Sequence, residues 1–182
     1  MSKATRLSPT FASSVLVLLA LVSAVALLYS RNSSGPVLQP LVVLVSLGLI
    51  FFSLHPLGHL AVARALGVHT DYFFIGRSDF RKLESKPMSA IGGFVPTIGT
   101  KLRRADFSLL PPRKRGYILG AGVIVSNSFV GIEVLYLLLS GFAPISMVVG
   151  LAFLLVTLGT ELTFSTKSGD LAKMRSEFRK TA

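Results

Sequence analysis

The chain contains no cysteine, few acidic residues and little charge of any kind. Zero Cys excludes disulfides, thiolate metal ligands, iron–sulfur clusters and a cysteine nucleophile. It assigns no redox compartment, because a chain with nothing to oxidise tolerates either. Only 15% of the residues are charged, against about 25% in soluble domains. Apolar residues fill the difference: 51% of the 182 residues are hydrophobic, and the mean hydropathy is +0.67. That content excludes disorder and argues against a soluble globule. What charge there is runs one way, with 19 Lys and Arg against 8 Asp and Glu, a formal net charge of +11. Such a balance fits a nucleic-acid binder or a membrane protein, and the placement of the cations decides between them.

Four stretches are long enough to cross a bilayer, which takes about 20 predominantly apolar residues. They run from about Phe11 to Tyr29, Leu38 to Leu66, Ile118 to Leu139 and Ile145 to Phe164. The first follows Lys3 and Arg6 as a secretory signal would. Its apolar core is longer than an h-region of about 7–15 residues, so an uncleaved anchor is expected. Arg31 is the one cation between the first two spans, and none lies in the turn from Ser140 to Ser146. With both termini cytoplasmic, 18 of the 19 cations fall on the cytoplasmic side, as the positive-inside rule requires. The cations hug span boundaries and form no aromatic-interleaved stripe, which speaks against nucleic acid and for anionic lipid headgroups. Asn32-Ser33-Ser34 is a formal glycosylation acceptor of little weight.

The segment from Val68 to Arg115 is different in kind. Asp71–Gly76 and Gly92–Gly99 are short β-prone runs punctuated by Gly and Pro. The expected architecture is therefore an all-α multi-pass membrane protein. It has four transmembrane helices and a small cytoplasmic β-hairpin or re-entrant element between the second and third. Residues 1–36 form a tail, first anchor and external loop; residues 37–182 form the core, ending in a short basic interfacial helix over Asp170–Lys180.

Ionisable groups inside spans are costly and point to function. His55, His59, Glu133 and Glu161 are such groups, with the amide of Asn127 beside them and Asp170 just past the fourth span. His55 and His59 are offset by i, i+4, about 40° and 6 Å on a helix, so both imidazoles share one face. Two imidazoles so placed can hold one zinc ion or simply be satisfied core histidines. The second and fourth spans descend in the same direction and deliver the histidines, Glu161 and Asp170 toward one end. A His₂–carboxylate set with an open fourth position is the composition of a catalytic zinc site. Each group has a plainer role too. Glu161 can be protonated and bonded to Thr157 or Thr160, and Glu133 can pack or pair helices. Asn127 can bridge helices, and Asp170 can cap the tail helix. His69 reads as surface, and Phe73, Phe74 and Phe94 as packing.

The run His55-Pro56-Leu57-Gly58-His59-Leu60-Ala61-Val62-Ala63-Arg64-Ala65-Leu66-Gly67-Val68 resembles the zinc-helix signature HExGHxxxARxxGV of the site-2 protease family of intramembrane metalloproteases. Every marked position matches except the Glu, which is Pro56. Arg113-Lys114-Arg115 leading to Gly120…Asn127 is similar to the family's basic lead-in and Gly-Pro…Asn helix, with Val123 in place of Pro. Ser168-Gly169-Asp170 is similar to its Asp-Gly motif, with Gly before Asp. The resemblance covers roughly Leu38 to Lys173 and leaves the first span as an addition. It implies His55, His59 and Asp170 as zinc ligands, Asn127 as a substrate-positioning residue, and a sheet edge that pairs with an unwound substrate strand. The position of the general base is occupied by Pro56. Base assistance is worth about 10²–10⁴-fold, roughly 3–5 kcal/mol of barrier, whereas zinc binding does not need that Glu. Proline in a helix also frees the carbonyl of Phe52 and favours a kink beside His55.

Three functions follow. The chain is a pseudoprotease that keeps its metal or binds transmembrane segments of partner proteins; or a protease in which Glu161 substitutes as base; or a metal-free membrane scaffold or accessory subunit.

Overall fold

The computed structural model describes residues 5–32, 35, 37–77, 96–165 and 169–180. Gly92–Val95 with Phe94, the serines of the Asn32-Ser33-Ser34 triplet, and Ser168 lie outside the described residues. The order of elements is β1 (Thr5–Leu7), α1 (Pro9–Ser30), α2 (Leu38–Ala65), β2 (Thr70–Arg77), β3 (Pro96–Leu102), α3 (Arg104–Leu109), α4 (Pro112–Leu139), α5 (Pro144–Thr160), a π-helical turn (Glu161–Ser165) and α6 (Asp170–Arg179).

Four of the helices, α1, α2, α4 and α5, are long and apolar enough to cross a membrane. Three of their starts are set by proline: Pro9, Pro112 and Pro144 each occupy the first turn, where a missing N–H costs nothing. Hence α4 begins before the apolar run does, and Arg113-Lys114-Arg115 is already helical. Ser8 caps α1 by accepting the Phe11 amide on its hydroxyl oxygen at 3.3 Å. Gly67, at φ +78°, ends α2. The amide of Val68 then reaches the Ala63 carbonyl at 2.8 Å, and that of Gly67 the Arg64 carbonyl at 3.0 Å. This is a Schellman closure, and Val68 and Ala63 complete it by sharing an apolar cluster with Ile118. Pro56 does not end α2, which runs through it, and its ring is fully buried.

Burial separates the four long helices. In α2 and α4, 39% of the apolar window is buried, against 22% in α1 and 17% in α5. So α2 and α4 form the centre, and α1 and α5 flank it. Leu27, Val43, Leu47, Val130, Val134, Leu137 and Phe142 pack one end of the bundle.

The other end carries a three-stranded antiparallel sheet in the order β1-β2-β3. The sequence pattern points to a two-stranded hairpin; the third strand comes from the N-terminal tail. Thr5, Arg6 and Leu7 pair with Ile75, Phe74 and Phe73, and the Arg6 guanidinium lies 4.8 Å over the Tyr72 ring. Phe73 is the inward residue of the central strand and seats the sheet on Ala12 and Leu16 of α1 and Leu60 of α2. The Thr100 hydroxyl of β3 donates to the Pro56 carbonyl at 3.3 Å, tying the sheet to α2 beside the histidines.

At the far end, buried Gln39 joins three helix termini. Its amide nitrogen donates to the Ser30 carbonyl at 3.0 Å. Its oxygen accepts from the Ala143 amide at 3.1 Å and the Ser146 hydroxyl at 2.9 Å. Gln39→Leu leaves those groups buried and unpaired, and the expected loss is about 1–3 kcal/mol. A lowered unfolding midpoint of the detergent-solubilised protein checks this, and an unchanged midpoint rejects it.

Candidate metal centre

Helix α2 carries His55 and His59 on one face, as their spacing dictates, with ring centroids 5.1 Å apart. Phe51, one turn earlier, lies 6.2 Å from the His55 ring and meets Phe153 of α5 edge to face, giving the site an apolar wall.

The second wall is α4, and glycine lets it come close. A methyl group on Gly58 would stand 2.8 Å from the Ala121 carbonyl oxygen. One on Gly122 would collide with His59 Nε2 and lie 2.8 Å from the His55 carbonyl oxygen. Residues 118, 122 and 126 form one i, i+4 stripe of α4, and all three touch the histidines. The Ile118 carbonyl lies 2.7 Å from His59 Nδ1. The Ser126 hydroxyl oxygen lies 3.5 Å from His55 Nδ1 and donates its own proton to the Gly122 carbonyl at 2.8 Å.

Helix α6 supplies the carboxylate. Asp170, Met174 and Phe178 recur at i, i+4 and i+8, so they share one face. Met174 fills the space above Gly120, and Phe178 the space above Gly116, where an added methyl would lie 2.5 Å from its ring. Tyr117 meets Phe178 edge to face, and Arg115 pairs with the buried Glu177 at 3.0 Å. With α6 docked, Asp170 Oδ2 stands 3.2 Å from Nε2 of both His55 and His59. Asp170 is not the helix cap, a position that Gly169 takes. Its other oxygen, Oδ1, pairs with Lys173 at 3.3 Å. Burial pushes the Asp170 carboxyl up. The two imidazoles and the Lys173 ammonium outweigh that and hold it well below the usual carboxylate range.

The hydrogen bonds at Nδ1 define what the cluster can do. A carbonyl only accepts, so His59 Nδ1 carries the proton toward Ile118; Ser126, its own proton spent, accepts from His55 Nδ1. In their neutral forms both rings then present Nε2 lone pairs to a carboxylate oxygen that has only lone pairs of its own. Positive charge among the three atoms, as protons or as a metal ion, is what stabilises the arrangement. The donor set fits zinc. Two donors about 2.0–2.1 Å from one tetrahedral zinc stand about 3.3–3.4 Å apart, close to the 3.2 Å observed for each His–Asp pair. The side chains of His55, His59 and Asp170 are 23%, 14% and 24% exposed, so the cluster is only partly shielded from solvent. Nδ1 bonds of this kind fix imidazole orientation and tautomer for a metal.

Of the residues the sequence singles out, the structure brings together His55, His59 and Asp170. Among the described residues they are the His, Asp and Glu side chains whose ligand atoms converge, all within 4.8 Å. Glu161 is not a member of that group. It begins the π-helical turn after α5, and the hydroxyls of Thr157 and Thr160 donate to the Leu154 and Thr157 carbonyls. Asn127 bonds its own helix, Nδ2 donating to the Val123 carbonyl at 2.9 Å; its Oδ1 is buried without a partner among the described residues. Glu133 is half-buried, and its Oε2 likewise has no partner among them. His69 is exposed and pairs with Asp106 at 2.7 Å. The sequence does not single out Ser126, the Ile118 carbonyl or the Gly116/Gly120 seat of α6; the small-residue spacing of α4 was the available signal. No protein-family model, curated protein or solved structure matches the chain.

Gly122→Ala places a methyl against His59 Nε2 without removing any donor. The expected result is about 10–100-fold weaker zinc binding, as for other residues that orient ligands. Titration against a competing chelator measures it, and wild-type affinity in the variant contradicts the packing described.

Proposed function

We propose that the chain is a site-2-protease-like integral membrane protein. On this proposal it holds one zinc ion on His55, His59 and Asp170 and binds membrane segments of other proteins without hydrolysing them. The observation that carries this is the meeting of three donors from two distant parts of the chain, with both Nδ1 atoms engaged by α4 and both Nε2 atoms facing one carboxylate oxygen. The membrane half rests on four long apolar helices and on the wide apolar surface they leave uncovered, with Leu18 at 61% and Leu155 at 69% exposure. Both termini are then cytoplasmic, as the distribution of Lys and Arg requires.

A zinc ion in such a site supplies Lewis acidity and a bound water of lowered pKa. The residues of the chain bind and orient; they offer little for moving the proton of that water. Pro56 has no ionisable group, is fully buried, and has its carbonyl taken by Thr100. Lys173, bonded to Asp170 Oδ1, steadies the carboxylate with Oδ2 turned to the histidines. A substitute base must come within about 3 Å of the water it deprotonates, and Glu161 is not among the converging donors. Loss of hydrolysis with retention of the metal is the expected combination.

Purified wild type should contain about one zinc per chain, by elemental analysis in mild detergent without chelator. His55→Ala/His59→Ala should contain none. Metal-free wild type that takes up no added zinc ends the proposal. Pro56→Glu restores a carboxylate beside His55, and cleavage of a membrane-segment substrate by that variant alone is the expected gain.

The orientation has its own test. The cysteine-free chain accepts single reporter cysteines without background. A cysteine at Ser140 should react with an impermeant maleimide added outside intact cells, and one at Ser108 only after permeabilisation. The reverse pattern inverts the topology.

A further inference from the structure

A cavity of about 230 Å³ opens where the end of α2, the start of α1 and the sheet meet, apart from the histidine–aspartate cluster. This is far more than the ~10–15 Å³ one water needs. Arg64, His69, Thr70 and Arg103 supply its polar side chains, and Pro9, the first residue of α1, closes one side. Among the described residues no carboxylate lines it. The two described acids beside it are committed elsewhere. Asp71 accepts from Arg103 Nε at 3.4 Å, and Asp106 accepts both the His69 amide at 3.0 Å and its Nδ1–H at 2.7 Å. Those bonds, the amide first, hold the Asp106 carboxyl below its ordinary range, so it stays an occupied acceptor.

The arginine donors, by contrast, are largely unspent. Arg64 is exposed and has no ion-pair partner among the described residues. Arg103 uses Nε alone, leaving its terminal nitrogens unpaired among them. The Thr70 hydroxyl oxygen is buried without a partner among the described residues. The last carbonyls of α2 are closed by the Gly67 and Val68 amides and offer the cavity little negative charge. A concave site lined by Arg64, Arg103 and Thr70, with no carboxylate among its described lining residues, matches a tetrahedral oxyanion. We propose that this cavity binds one phosphate group, carried by an anionic phospholipid headgroup or free in solution. The proposal stands independently of the metal site.

The full chain in nanodiscs of phosphatidylcholine, with and without phosphatidic acid, tests it by lipid retention in native mass spectrometry. A parallel arm titrates inorganic phosphate against the unfolding midpoint in detergent. Arg64→Gln removes a side chain without a described partner, Thr70→Val is isosteric, and Lys114→Gln removes an exposed cation outside the cavity. Saturable phosphatidic acid retention, weakened about tenfold or more by Arg64→Gln and by Thr70→Val but not by Lys114→Gln, supports the site with a lipid source. The same variant pattern for inorganic phosphate without lipid retention supports it with a soluble source. Equal weakening by Arg64→Gln and Lys114→Gln, or no saturable binding of either probe, overturns it.

Discussion

The arrangement depends on how closely α2 and α4 approach one another. Gly58 and Gly122 face each other's helix so tightly that neither has room for a methyl group. That contact lets backbone and short side chains of α4 reach the far nitrogens of both histidines. Once those nitrogens are engaged, the near ones turn together toward one point. Larger side chains at 58 or 122 would push the helices apart and leave two imidazoles that merely share a face.

A second contact depends on the same helix. Gly116 and Gly120 form a separate stripe of α4 and receive Phe178 and Met174 of α6. One helix therefore registers both partners, aligning the imidazoles with one stripe and the carboxylate with another. This division explains how Asp170 Oδ2 comes within 3.2 Å of both imidazoles although α2 and α6 are far apart in the chain. It also assigns structural work to the glycines of α4, whose substitution elsewhere in a helix would favour helicity.

Much of this was legible in the sequence. The long helices begin and end within a few residues of the apolar runs, because run length and flanking Pro and Gly act locally. The i, i+4 histidines share a face because helix geometry alone requires it. The resemblance names Asp170 as a cluster member, but spacing alone leaves it equally a helix cap, since its place depends on where α6 docks, and docking depends on two glycines that read as mere punctuation. The strand Thr5–Leu7 was hidden for a related reason. Three residues carry almost no local β signal, and what makes them a strand is the free edge of a partner some 70 residues away. In the sequence Ser126 stands beside Asn127, the more conspicuous amide. In the fold it is the smaller hydroxyl that faces His55.

The position of Asp170 has a consequence in time. His59 leaves the ribosome 111 residues before Asp170, and at about 5–20 residues per second that interval is on the order of 5–20 s. During it the nascent chain has both imidazoles but neither the carboxylate nor the helix that positions it. Assembly of the cluster is thus a late event in biogenesis, waiting on α5 and the turn after it. Until α6 settles onto α4, the histidine face is open to whatever else the nascent chain encounters.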